Sequence, residues 1–167
     1  CFVVPPVEDN EPPAGERWLS VDLTEGVVSN WKLVTFDGKE AFTDAGDNES
    51  CNTVLYLDDK LPSEFELSAK IYQTKDNQWS GVVFNFSDAG EFYVLRMRSG
   101  RNRIQLLARN GSKWQTLADR DGVTSATLNS WVEFNVVRTS DKIAFSVGEF
   151  SVEVVLSQVD PPSDYDG

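Results

Sequence analysis

Several side chains between residues 72 and 105 have the chemistry to bind a polar ligand. Arg96 and Arg98 carry guanidinium forks, which donate paired hydrogen bonds to carboxylates or to neighbouring hydroxyls. The amides of Asn85 and Gln105 are flat donors of a similar kind, and Tyr72 adds an aromatic ring with a hydroxyl. The alternative is a solvated sheet face on which the arginines pair with acidic residues of neighbouring strands.

Two tryptophans flank these polar side chains. Trp79 precedes one predicted strand and Trp114 opens another, so both stand at loop edges. A flat indole at such a place can support the apolar face of a sugar ring. The alternative is that both indoles cap the hydrophobic core.

These residues fall on a run of short strand candidates. Apolar and polar residues alternate in stretches rich in Val, Phe and Thr, and almost no apolar residues repeat at helical spacing. Turn clusters such as Asn110-Gly111 separate the stretches at intervals of about 8 to 12 residues, which is typical of a sandwich. Only Val21–Asn30 and Val123–Ser130 could hold a short helical turn. The predicted strands are Arg17–Asp22, Trp31–Phe36, Thr53–Leu57, Phe65–Tyr72, Gly81–Phe86, Glu91–Ser99, Arg103–Arg109, Lys113–Leu117, Trp131–Arg138, Lys142–Val147 and Glu149–Leu156.

The alternation also assigns each strand an inward face. Two antiparallel sheets packed face to face would bury all of these inward residues, so the sequence predicts an all-β, two-sheet antiparallel sandwich. If neighbouring strands pair in hairpin order, Tyr72, Asn85, Arg96, Arg98 and Gln105 share the outer face of one sheet. The residues expected in the core are Phe65, Leu67, Ala69, Ile71, Val82, Phe84, Phe86, Tyr93, Leu95, Met97, Ile104, Leu106, Ala108, Val132, Phe134, Val136, Ile143, Phe145, Val147, Phe150, Val152, Val154 and Leu156.

Composition limits the classes of partner. The chain has 167 residues, a length that suits one domain. Its net charge of −12 argues against nucleic acid and anionic membranes as partners, because the long-range field repels both. It contains no histidine, which excludes His-dependent triads and the usual zinc sites. No apolar run approaches the ~20 residues that span a bilayer, so we expect no transmembrane segment.

The two ends of the sequence differ in composition from its centre. Residues 1–16 are rich in proline and acid and indicate a linker or tether, residues 17–158 form the predicted sandwich, and residues 159–167 indicate a second linker or a tail. Cys1 and Cys51 are too few thiols for a metal site. Three states stay open: a Cys1–Cys51 disulfide, free thiols, or lipidation of Cys1 as in a mature lipoprotein. The disulfide and the lipid anchor both imply export from the cytosol.

The order of motifs along the centre of the chain resembles a known superfamily. A strand of Gly, hydrophobic residues, Phe and a polar residue runs from Gly81 to Asn85, and an acidic turn at Asp88 follows. An aromatic strand with Phe92-Tyr93 comes next, and a strand begun by Trp131 leads to a final hairpin. This order is similar to that of the concanavalin A-like lectin/glucanase superfamily, in particular laminin G-like domains and the jelly rolls attached to bacterial polysaccharide-degrading enzymes. The likeness covers about residues 65–156.

The resemblance implies a jelly roll that binds sugar on a concave sheet face or at the loop rim. Some members of the superfamily hydrolyse glucans with two carboxylates at alternate positions of one strand, about 5 to 5.5 Å apart in retaining enzymes. Glu66 and Glu153 are single carboxylates here, and no strand presents the pair. We therefore expect no catalytic residues.

Calcium is the one cofactor that the resemblance suggests, because the superfamily frequently holds a structural calcium ion. Acidic loops supply the oxygen ligands that this ion prefers. The candidate ligands are Asp44 and Asp47 in one loop and Asp119 and Asp121 in another. The alternative is that these acidic loops are ordinary features of a strongly acidic chain, with no cofactor.

Three classes of function follow from these observations. The favoured one is a non-catalytic carbohydrate-binding module of an extracellular or cell-surface protein, with a polysaccharide or other glycan as partner. The second is a structural or adhesive subunit of a surface assembly, in which Phe2-Val3-Val4 pairs with a sheet edge of its own chain or of a neighbouring copy. An enzyme of the sugar-processing type comes third, since the carboxylate pair is missing.

Overall fold

Short strands joined by turns make up the regular structure of this chain. A computed structural model describes residues 2–4, 18–22, 28–44, 53–57, 62–76, 78–88 and 91–156. In these ranges the regular structure is β-strand apart from a short 3-10 turn at Ser99–Arg101 and a 3-10 residue at Leu156, which confirms the all-β prediction. The segment Val123–Ser130 holds turns and no helix, with the Ala126 amide donating to the Val123 carbonyl.

The strands of the described residues can now be named in chain order. They are β1 (Phe2–Val4), β2 (Trp18–Asp22), β3 (Trp31–Phe36), β4 (Lys39–Asp44), β5 (Thr53–Leu57), β6 (Phe65–Tyr72), β7 (Ser80–Asp88), β8 (Glu91–Arg98), β9 (Arg103–Asn110), β10 (Lys113–Arg120), β11 (Trp131–Arg138), β12 (Lys142–Val147) and β13 (Phe150–Val155). The sequence did not predict β4, which begins with two charged residues and lacks a clear apolar alternation.

The smaller of the two main sheets is a meander. Its strand order is β10-β9-β8-β7, and each strand pairs antiparallel with the next one along the chain. Tight turns make this possible: Asn102 and Gly111 adopt positive φ values of 48° and 56° between the strands. Asparagine and glycine tolerate this conformation better than other residues.

The larger sheet is built from both ends of the chain. Its order is β13-β12-β11-β6-β1-β4-β3, again with antiparallel pairing. The strand β1 lies within the predicted linker 1–16, yet it pairs with β6 on one side and with β4 on the other. Only the structural class of function predicts this segment as an added strand. A separate antiparallel pair is formed by β2 and β5.

The core lies between the meander and the part of the larger sheet formed by β6, β11, β12 and β13. The inward side chains of both layers form one apolar cluster, in which Leu95, Met97, Leu106, Phe134 and Ile143 are essentially inaccessible to solvent. Each such side chain contributes about 1.5 to 3 kcal/mol when it is removed from water. The predicted antiparallel sandwich and nearly all of its predicted core positions are therefore confirmed.

Phe86 is an exception among the predicted core residues. Asn85 has a φ of 50°, and the β7–β8 register shifts between Phe84 and Asp88. A bulge of this kind reverses the side-chain alternation beyond it. Phe86 therefore stacks on Phe92, with ring centres 5.6 Å apart, on the face of the meander that points away from the larger sheet. We call this face the outer face.

Candidate functional site

Arg96 and Trp79 stack at one end of the outer face. The Arg96 Cζ atom lies 4.1 Å from the centre of the Trp79 ring, which fits a cation–π contact. The Arg98 Cζ atom is 5.8 Å from the same ring. Arg96 also donates from Nε and Nη2 to the Gln105 Oε1 atom, at 3.1 and 2.8 Å. The guanidinium is thus fixed both by the ring and by the amide.

Gln105 passes these hydrogen bonds on to a carboxylate. Its Nε2 atom donates to Asp119 Oδ2 at 2.8 Å. Arg103 donates to the same carboxylate from Nε at 2.8 Å and from Nη2, so the pair is bidentate. The Arg103 Nε atom also lies 3.5 Å from Asp121 Oδ1. Arg96, Gln105, Asp119 and Arg103 therefore form one continuous arginine network.

The strand register explains why these residues meet. Gly81, Arg96, Gln105 and Asp119 occupy one row across the four strands of the meander. The inward residues of the same strands are apolar and buried, so this row must point outward. Gly81 is required at its place because a Cβ atom there would lie 2.0 Å from the Leu95 carbonyl oxygen.

The electrostatics of the arginine network follow from burial and from its hydrogen bonds. Burial, and then the charge of Arg103, lower the pKa of Arg96. The hydrogen bond from Arg103 is the largest cause that lowers the pKa of Asp119. The same hydrogen bond raises the pKa of Arg103. At neutral pH the network therefore holds two guanidinium cations around one carboxylate.

A buried amide anchors the chain next to Trp79. Gln73, which follows β6, is 1% exposed. Its Nε2 atom donates to the Gln78 carbonyl at 2.5 Å, and its Oε1 atom accepts the Ser99 hydroxyl at 2.6 Å. The backbone carbonyl of Gln73 accepts a hydrogen bond from the backbone N–H of Asn129 at 2.9 Å. Gln73 thus joins three loops at the end of the meander that holds Trp79, a role that no local sequence pattern indicated.

A second group of aromatic residues lies at the other end of the outer face. Trp114 is 47% exposed and meets Phe92 edge-on, with ring centres 5.8 Å apart. The Arg109 Cζ atom lies 5.3 Å from the Trp114 ring and 5.5 Å from the Phe92 ring. With Phe86 stacked on Phe92, these four residues form the aromatic cluster. Its exposed member is Trp114, which offers a flat apolar surface.

The structure brings most of the predicted binding residues onto the outer face. Trp79, Arg96, Arg98 and Gln105 lie together at one end, and Trp114 lies at the other. Neither tryptophan belongs to the buried core cluster. One face of Trp79 is covered by Arg96, whereas Trp114 keeps nearly half of its surface accessible.

Tyr72 does not join this group, and the expectation that it would is wrong. It belongs to β6, which pairs with β11 and β1 and not with β7. The ring of Tyr72 meets the rings of Trp131 and Phe36 edge-on, at 5.4 and 4.8 Å between centres. The assumed hairpin order failed here because the chain crosses from one sheet to the other after β6.

Asn85 also stands apart from the arginine network. It lies at the β7 bulge, beyond Phe84 and therefore on the side of the aromatic cluster. Its Oδ1 atom is buried and has no hydrogen-bond partner among the residues that the structure describes. Asn85 accommodates the positive φ of the bulge, a conformation that asparagine tolerates.

The acidic residues considered for calcium have other partners in the structure. Asp119 accepts hydrogen bonds from Arg103, and Asp121 forms an ion pair with it. Asp44 accepts a hydrogen bond from the backbone N–H of Asn30 at 2.7 Å. No group of three acidic, cysteine or histidine side chains converges in the part of the chain that the structure describes. Asp47, together with Cys1 and Cys51, lies outside the described residues.

The larger sheet has a shallow depression on its own outward face. It measures about 390 Å³ and is lined by polar and apolar residues of β11, β12 and β13, among them Asn135, Val137 and Ser146. Asn135 donates to the Ser146 hydroxyl at 3.3 Å. The depression holds neither the arginines nor the exposed tryptophan, so the outer face of the meander remains the candidate site.

Comparison with known proteins gives no identification. No family model, curated protein or solved structure matches this chain. Within the described ranges, no helix has the length and apolar character needed to cross a membrane.

Proposed function

We propose that this chain is a non-catalytic carbohydrate-binding module that holds a glycan on the outer face of the meander. One observation carries the proposal: a fixed arginine network and the exposed Trp114 lie on the same sheet face. A sugar ring presents hydroxyls at its edge and C–H groups on its faces, so it needs both kinds of partner.

The two tryptophans have different roles in this proposal. Trp79 supports Arg96 from below, because the guanidinium covers its ring. Trp114 is the platform on which a sugar ring stacks. Because hydrogen bonds within the chain fix the side chains of the arginine network, binding requires little further loss of side-chain entropy.

The setting of the module is part of the same proposal. The resemblance of residues 65–156 to concanavalin A-like domains supports a jelly roll that binds glycans. An extracellular or cell-surface location is part of this proposal, and it would suit a Cys1–Cys51 disulfide.

Affinity electrophoresis against a panel of polysaccharides tests the proposal. We expect at least one polysaccharide to retard the protein, and the Trp114→Ala variant and the Arg96→Ala, Arg98→Ala double variant to lose most of this retardation. Val137→Ala is the matched control, because Val137 is 38% exposed on the other sheet. Retention of full binding by both site variants would overturn the site. A failure of every polysaccharide to bind would overturn the function.

A second candidate function rests on the position of β1. This three-residue strand fills a slot between β6 and β4 by backbone pairing on both of its sides. The 13 residues between β1 and β2 could extend over about 40 Å, far enough to reach a neighbouring copy. A structural subunit could therefore receive the strand of the next copy in this slot.

Size measurements with and without the N-terminal segment test this second candidate. Strand exchange predicts concentration-dependent oligomers that disappear when residues 1–7 are deleted. A synthetic peptide with the sequence of residues 1–7 should then bind the truncated protein. A strict monomer in both forms would contradict strand exchange.

A further inference from the structure

Basic residues are distributed unevenly in this acidic chain. Residues 91–120, which contain β8, β9 and β10, carry seven of the 15 basic residues of the chain but only two of its 27 acidic residues. This stretch is therefore basic, although the whole chain has a net charge of −12. The rest of the chain therefore carries a more negative net charge than the whole chain.

The fold collects much of this positive charge on one surface. Arg96 and Arg98 point outward from β8 because Leu95 and Met97 point into the core. In the same way Arg103 and Arg109 point outward from β9, opposite the outward residues of β8. The outer face thus presents four guanidinium groups.

Two of these guanidinium groups lack an acidic partner among the described residues. Arg96 donates to the neutral Gln105 amide, and Arg109 donates from Nε to the Gly111 carbonyl at 2.9 Å. Their charges rest against the rings of Trp79 and Trp114 instead. The carboxylate of Asp119 is engaged by Arg103 and Gln105. Burial is the largest cause that lowers the pKa of Arg96, the charge of Arg103 lowers it further, and the charge of Asp119 acts in the opposite direction.

We infer that the glycan held by the outer face is an acidic polysaccharide, whose carboxylate or sulfate groups pair with Arg96 and Arg109. This inference rests on the proposed glycan-binding function and specifies the class of its ligand. A guanidinium fork binds either oxyanion through two hydrogen bonds. The rows of Arg96 and Arg109 are four residues apart along β8, or about 13 Å. An extended polymer with regularly spaced anions can reach both.

The net charge of the whole chain favours binding of a polyanion at the outer face. The acidic surface elsewhere repels a polyanion, so the outer face is the favourable place for it to bind. The exposed ring of Trp114 adds contacts with sugar faces that a simple anion would not use. We therefore expect both charge and sugar structure to contribute to affinity.

Binding of the full chain to four probes tests the inference: a polyuronate, a sulfated polysaccharide, a neutral glucan of similar length, and single-stranded DNA. We expect one or both acidic polysaccharides to bind at least about ten-fold more tightly than the glucan and the DNA, with an affinity that falls as salt increases. The two acidic probes distinguish carboxylate from sulfate recognition. Arg109→Gln should weaken acidic-glycan binding, whereas Lys142→Gln, which removes the same charge from the other sheet, should not.

The outcomes separate this inference from the proposed function. If the neutral glucan binds as tightly as the acidic polysaccharides, the acidic ligand class is overturned while glycan binding stands. If DNA binds as tightly as the acidic polysaccharides, the surface recognises charge alone and the inference fails. If none of the polysaccharides binds, the proposed function fails together with the inference. Equal losses in Arg109→Gln and Lys142→Gln would also contradict the assigned site.

Discussion

Arg96 stacks its guanidinium on the indole of Trp79, with 4.1 Å between the Cζ atom and the ring centre. The stack holds the guanidinium above the meander, and the Arg96 Nε and Nη2 atoms donate hydrogen bonds to Gln105 Oε1. An arginine that is positioned in this way can recognise an oxyanion with little loss of side-chain entropy.

Removal of the Trp79 ring should weaken ligand binding indirectly. In Trp79→Ala the cation–π contact of about 0.5 to 1 kcal/mol disappears, so we expect the affinity for the bound glycan to fall roughly two- to five-fold. Trp79→Phe should lose less, because it keeps a ring. Titration calorimetry of both variants, alone and combined with Arg96→Ala, measures the coupling. Additive losses in the double variant would argue against the supporting role of Trp79.

Loss of the Gln73 amide should destabilise the end of the meander that holds Trp79. Gln73→Leu keeps the volume but leaves the Ser99 hydroxyl and the Gln78 carbonyl without this partner. We expect the free energy of unfolding in urea to fall by about 1 to 3 kcal/mol. Thr74→Ala, at the exposed neighbouring position, should change it little. Equal effects of the two substitutions would contradict the anchoring role of Gln73.

Acid should loosen the arginine network through Asp119. Because Arg103 lowers the pKa of this carboxyl in the folded state, Asp119 contributes stability above its ordinary pKa of 3.8. The contribution is lost as the pH falls through the lowered folded-state pKa. We expect urea unfolding between about pH 5 and 2 to show a steeper loss of stability for the native chain than for Asp119→Asn. Identical pH profiles would mean that the pair contributes nothing to folding.

The bulge at Asn85 should tolerate glycine but not a β-branched residue. Asn85 has a φ of 50°, which strains most side chains. We expect Asn85→Val to lower the free energy of unfolding by about 1 to 3 kcal/mol, and Asn85→Gly to remain close to the native value. Thermal and urea unfolding of the two variants provide the check. Equal stability of both would show that the bulge can relax into a regular strand.

Local sequence patterns predicted the strands and the core because both depend on short-range alternation. Tyr93, Leu95 and Met97 alternate with outward residues, and no partner strand is needed to assign their face. The neighbours Arg96 and Gln105 could also be predicted to meet, because β8 and β9 are joined by a short turn and pair as a hairpin.

The remaining errors arose where distant parts of the chain decide the outcome. Hairpin order places Tyr72 beside Arg96 through a β6–β7 pair, but β6 pairs with β11, which follows it by about 60 residues. Alternation along β7 places Phe86 in the core, but the bulge at Asn85 reverses the alternation, and strand periodicity does not reveal a bulge. The buried role of Gln73 depends on two loops, and no periodicity reveals such a contact.

The place of β1 between β6 and β4 also bears on how the chain folds. Phe2 pairs with Tyr72 and with Thr43. Both partners follow it in the sequence, so β1 can pair only after β4 and β6 have been synthesised. Pairing over such sequence separations is slow, because the entropy of closing the intervening loop is lost before the contact forms. The β3–β4 hairpin can form locally, but it joins the sheet through β1. We therefore expect β1 to pair late in folding, completing the larger sheet after the sandwich core has formed.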